Sequence, residues 1–165
     1  MAYYIKTLGI KNRPVSIYKD PFPRMLLSHM CFKTIEGKVG SLKQGDSLIL
    51  YFLKNATKEF PRGGFIGVHD VLSGVYEDTT LFGERLKYIV DIHPRVLVFR
   101  NSVRLREISQ LQQKSERLQK ALKANLQAIG GLLEVEYKDY RSFIALFQDK
   151  VKNLSDVKKE RQMSF

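Results

Sequence analysis

The sequence has one cysteine, no tryptophan and a marked shortage of acidic residues. A lone thiol, Cys31, excludes an intrachain disulfide and a structural zinc site, and it fits a reducing, cytoplasmic compartment. No apolar run approaches the ~18 residues of a membrane span, and the N-terminus lacks the pattern of a signal peptide. The expectation is a soluble chain with no membrane partner. No internal repeat or low-complexity segment is present. Against 28 Lys and Arg stand only 17 Asp and Glu, a formal charge of +11 in 165 residues. That length suits one domain with a real core. A surface this positive attracts polyanions such as nucleic acid.

The parts of an active site are missing too. His29, His69 and His93 lie in separate segments without metal-ligand spacing. His69 and Asp70, adjacent on a strand, point to opposite faces and form no dyad. Gly63-Gly64 lacks the following Lys-Ser/Thr of a phosphate loop. Nothing supports a Ser/His/Asp arrangement. The reading is a non-enzymatic binding module with no metal and no cofactor.

What is present is organised around residues 37–76. Ser47 to Leu53 is a nearly continuous apolar run, which suits a strand covered on both faces. Gly45-Asp46 supplies the turn before it. Phe65 to Leu72 reads as a second strand, with Gly67 marking a bulge or a close backbone approach. These two form an antiparallel pair around which a small barrel can be built. Ala2 to Leu8 reads as a first strand, residues 9–24 as a proline-punctuated loop, and Arg24 to His29 as one helical turn. Met30 to Thr34 is a short strand, and 76–83 a loop. Arg85 to Ile92 alternates, with Leu86, Tyr88, Val90 and Ile92 on one face; His93-Pro94 is expected to end it, before a sixth strand from Arg95 to Phe99.

Between Ser102 and Ile129 the apolar positions fall mostly three, four or seven apart, predicting one long basic helix whose narrow stripe is interrupted at Ser115. Gly130-Gly131 stops it. A second helix is predicted from Glu136 to Val151, with Tyr140, Phe143, Ile144, Phe147 and Val151 turned inward. The charged tail, 152–165, reads as a frayed end or as a linker to a further domain.

The opening Met-Ala-Tyr-Tyr-Ile, the run Leu42-Lys43-Gln44-Gly45-Asp46-Ser47-Leu48-Ile49-Leu50-Tyr51, then Gly64 to Val71 and Val75-Tyr76-Glu77-Asp78, resemble EVE domains, relatives of YTH domains in the PUA-like superfamily. Gly130-Gly131 followed by Glu136-Tyr137-Lys138-Asp139-Tyr140 is similar to the end of such a domain. The resemblance covers roughly residues 1–99 and 130–148. It implies an α+β fold: a small, mostly antiparallel PUA-like barrel flanked by helices, with the long basic helix at about 102–129 as an insertion. One domain would span 1–151.

The function so implied is the reading of a modified, methylated base taken unstacked into an aromatic cleft. Similar domains target McrBC-type restriction systems, so a C-terminal GTPase motor in a longer chain is one implied partner. Carried over by position, one pocket wall falls at Met30, Cys31 and Phe32, and the other in the loop holding Tyr76 and Phe82. The absence of tryptophan departs from these relatives and leaves smaller stacking rings. Lys33, Lys38, Lys54, Lys58 and Arg62 flank the central strands, and Arg85 and Lys87 follow Phe82; these are the candidate phosphate contacts. Modified duplex DNA is the favoured partner. A PUA-like RNA binder and a protein-interaction domain using the long helix stay open as alternatives.

Overall fold

Alternation along the first strand sets the architecture. In β1 (Tyr3–Leu8) the side chains of Tyr4 and Leu8 enter one apolar cluster and that of Ile5 enters another. The structure, a computed structural model, describes residues 1–9, 14–98, 101–124, 126 and 131–160. After β1 come α1 (Phe22–Leu27), β2 (His29–Phe32), β3 (Ser47–Phe52), β4 (Gly64–Val71), β5 (Tyr76–Glu77), α2 (Thr79–Phe82) and β6 (Tyr88–Leu97). Then follow α3 (Leu105–Ser109), α4 (Glu116–Lys123), β7 (Leu132–Val135) and α5 (Tyr137–Glu160).

The strands form one mixed sheet in the order β2-β6-β4-β3-β1-β7, with β5 beside the start of β6. Among these strands β1 and β3 pair in parallel and the other pairings are antiparallel. The sheet curls into a half-barrel. Although β1 and β2 lie far apart in the strand order, Lys6 of β1 reaches over the ring of Phe32 in β2. Inside the curl lie Leu48, Leu50, Phe52, Ile66, Val90 and Ile92, under α1. Outside it, Ile49, Phe65 and Val68 pack against Ile108, Leu118, Tyr140, Phe143 and Phe147 from the helices. Strand β3 is therefore covered on both faces, as its unbroken apolar run requires.

Gly67 shows why that strand position takes no side chain. A Cβ there would stand 2.0 Å from the Val96 carbonyl oxygen on β6. The close approach belongs to a stretch of irregular pairing, with shifts in register at Leu50/Tyr51 and at Val68/His69.

Three expectations are corrected. His93-Pro94 does not divide two strands, because the register shift places Pro94 at a bulge opposite His69 and a single strand, β6, runs on to Leu97. The helix at 102–129 is two short ones, α3 and α4. Ser115 starts the second by accepting the backbone N–H of Leu118 at 3.0 Å, and its own N–H and hydroxyl donate to the buried carboxylate of Asp139 at 3.0 and 2.5 Å. The interruption in the stripe is thus a cap. The inward stripe of α5 ends at Phe147, since Val151 is 40% exposed. The segment before α3 adds to the sheet through mutual backbone bonds between Phe65 and Val103, both 2.8 Å. Phe99, Ile129 and Gly130, which figured in the expected strand and helix ends, lie outside the described residues, as does the tail from 161. No helix among the described residues is long and apolar enough to cross a membrane.

Candidate nucleic-acid interface

The mouth of the half-barrel is framed by α1 with β2 on one side and β5 with α2 on the other. Helix α2 starts at Asp78, whose carboxylate accepts from the Thr80 hydroxyl and backbone N–H at 2.6 and 2.8 Å. Those two donors hold the Asp78 carboxyl below its ordinary pKa. A hydrogen bond from the Arg24 guanidinium to the Leu81 carbonyl ties α2 to α1. So fastened, α2 presents Phe82 half-buried against the inner core, with open space around Gly83 after it.

A line of polar groups runs along the same mouth. The Tyr76 hydroxyl donates to Asp91 Oδ1 at 2.6 Å, and His29 Nε2 faces the same oxygen at 3.6 Å. His29 Nδ1 contacts the Ser28 hydroxyl at 2.7 Å, and the Asp91 backbone N–H donates to Ser73 at 2.9 Å. Burial, and then the bond to Asp91, raise the Tyr76 pKa far above its ordinary value, so its proton stays in place. The half-exposed Asp91 carboxylate of β6 is thereby held by Tyr76 of β5 with His29 of β2 beside it, and its contacts with described residues all fall on Oδ1. Its other oxygen is a positioned acceptor, the group suited to the N4 amine of cytosine.

The residues assigned to the two walls separate in the structure. Phe82 and Tyr76 stand at the mouth. Met30, Cys31 and Phe32 lie inside, at 0%, 3% and 2% exposure. Phe32 is no open stacking wall: its ring is covered by the Lys6 ammonium 4.6 Å from its centroid. Burial lowers the Lys6 pKa, with a weaker opposing effect from Cys31, and burial pushes the Cys31 thiol up to about 11. A Cβ on Gly131 would come within 3.2 Å of the Lys6 nitrogen. Reading the sequence missed Lys6, and it missed Asp91 and His29 as well. The signal for Lys6 is the alternation Tyr4, Lys6, Leu8, which turns a lysine inward.

The seven candidate phosphate contacts also divide. Lys38 pairs with Glu134 at 3.2 Å, and Lys87 with Glu84 at 3.5 Å. Lys33, Lys58 and Arg85 are exposed and dispersed. Lys54 and Arg62 share a concave surface with Arg104 and Arg106. No group of His, Cys, Asp and Glu among the described residues could hold a metal ion.

No protein-family model matches the chain, and no curated protein matches it by sequence. Solved structures do match. Rpa0253 from Rhodopseudomonas palustris superposes with a TM-score of 0.56 at 13% identity, over 90% of this chain and 94% of that one. A hypothetical protein from Leishmania major gives 0.55 at 16%, over 91% and 96%. Human THYN1, in a complex with DNA containing 5-methylcytosine, gives 0.53 at 14%, over 88% and 97%. Likeness at such low identity is a likeness of fold, and the fold is the PUA-like half-barrel flanked by helices.

Proposed function

We propose that this protein is a non-enzymatic reader of methylated DNA that takes an extruded base into the mouth between α1 and α2. The observation that carries the reading is that one short segment, β5 with α2, supplies both a half-buried ring, Phe82, and the Tyr76 hydroxyl that fixes the Asp91 carboxylate. An extruded base needs a stacking face and a few directed polar groups, and it needs them rigid. The structural likeness to a protein bound to 5-methylcytosine DNA supports the choice of base class. In this reading Phe82 stacks on the base, Asp91 accepts from its exocyclic amine, and Tyr76 and His29 hold that carboxylate in place. The methyl group adds apolar area worth about 0.8 kcal/mol when covered. Targeting of a GTP-driven restriction motor is the finer part of the proposal and rests on the sequence resemblance.

The test is Phe82→Ala. Loss of one stack should weaken binding to a methylated duplex by ~1–3 kcal/mol, about fivefold to a hundredfold, with far less effect on the unmethylated duplex. Thermal melting separates this from a packing defect, which would cost ~3–5 kcal/mol of stability for a fully buried ring. A stable variant that binds both duplexes as the parent does would overturn the assignment.

A further inference from the structure

At the other end of β4 the chain builds a second concave surface. A cleft of about 820 Å³ runs between the β3–β4 connection and the start of α3, lined by Arg62, Arg104, Arg106 and Lys150 among others. A second hollow of about 430 Å³ carries Lys54 and shares Arg62, Arg104 and Arg106 with the first. Two carboxylates border the larger cleft, and both are already engaged. Glu107 pairs with Lys150 at 2.8 Å and caps α3 by accepting the Arg104 backbone N–H at 2.7 Å. Glu59 accepts from the Ser16 hydroxyl at 2.5 Å and the Ile17 backbone N–H at 2.9 Å. Lys54, Arg62, Arg104 and Arg106 are exposed and make no ion pair with any described residue.

The segments that carry the arginines are also held in place. Arg62 directly precedes Gly63, whose carbonyl accepts the Ser102 hydroxyl at 2.9 Å, and Arg104 directly follows Val103, which is bonded on both sides to Phe65. The two arginine-bearing segments are therefore fastened to each other through backbone groups. With its backbone already fastened, the cleft has only side chains left to order on binding. Its guanidinium forks suit phosphate oxygens better than point charges would.

We infer that this cleft seats the phosphate backbone of duplex DNA, at a place separate from the base site. The inference rests on the nucleic-acid reading above and adds a second anchor to it. Gly64 and Val71 are the two ends of the eight-residue β4, about 23 Å apart at the usual rise per residue. A duplex touching both the cleft and the mouth would be contacted over roughly seven base steps at about 3.4 Å each.

The test compares Arg104→Gln/Arg106→Gln with Lys120→Gln/Lys123→Gln, a double change of equal charge on exposed positions of α4. Affinity for methylated and unmethylated duplexes is measured by fluorescence anisotropy between 50 and 200 mM salt. Removing two phosphate contacts should make the log–log slope shallower by about 1.8, so the parent's advantage shrinks by roughly tenfold across that range. The change should be the same on both duplexes, with melting temperature and slope unaltered by the α4 pair. Equal slope changes from both double variants, an unchanged slope in the first, a parent that does not bind duplex DNA, or an effect confined to duplex RNA would each overturn the proposal. Loss of methyl preference in the parent with the slope change intact would sink the base reading and leave the cleft standing.

Discussion

The Lys6 ammonium lies 4.6 Å from the centroid of the Phe32 ring, with no carboxylate among the described residues paired to it. A charge in that setting gives up hydration and regains only a cation–π contact. Lys6→Met keeps the apolar stem against the ring and removes the desolvation cost. It should therefore raise stability by about 1 kcal/mol or more, a melting temperature some 2–4 °C higher for a chain of this size. An unchanged melting temperature would show that the charge costs nothing there.

His69 should make the protein acid-sensitive. The ring is fully buried, its Nε2 donates to the Leu26 carbonyl at 2.9 Å, and Nδ1 has no partner. Burial lowers its pKa from 6.5 to about 4. Between those values the unfolded chain binds a proton that the folded one refuses, so stability falls as pH drops from about 6.5 to about 4 and then levels off. The full loss is about 3 kcal/mol. Urea melts at pH 7, 5.5 and 4 should show it, and His69→Gln should flatten the profile.

Ser115 and Asp139 join α4 to the start of α5. Asp139 also accepts the Glu136 backbone N–H at 2.8 Å, so a single buried carboxylate serves both helix starts. Ser115→Ala removes a cap and one of the donors to that carboxylate, and should cost about 1–3 kcal/mol by chemical denaturation. A loss below half a kcal/mol would mean the two helices are held by packing alone.

At Gly67 even the smallest side chain should be damaging. Gly67→Ala forces β6 away from β4 at the Val96 carbonyl, and should cost more than the ~1 kcal/mol of an ordinary strand substitution. Thermal melting measures it directly.

The parts of the fold that could be read from sequence are those where side-chain pattern alone decides. The unbroken run from Ser47 and the glycine in β4 announced covered strands because nothing else accommodates them. The helix at 102–129 misled because its spacing is helical on both sides of Ser115, and only Asp139, 24 residues away, shows that the serine is a cap. Pro94 misled for a similar reason, since its tolerance depends on a bulge made with another strand. Of the proposed site, Phe82 and Tyr76 were legible as rings in a turn-rich segment, whereas Asp91 and His29 were not, because their meeting depends on β2 and β5 both pairing with β6. Phe32 was not, because its cover comes from Lys6, brought in by the curl of the sheet.

Strand β1 is hydrogen-bonded on both sides, to β3 in parallel and to β7 in antiparallel sense, with Tyr3 opposite Val135. During synthesis β1 therefore cannot be completed until residues more than a hundred positions later have emerged from the ribosome. Through that interval one rim of β1 is an unpaired template for stray strands. Pairing at such sequence separation also carries a large loop-closure cost, so this protein should assemble slowly and be most vulnerable to aggregation while still nascent.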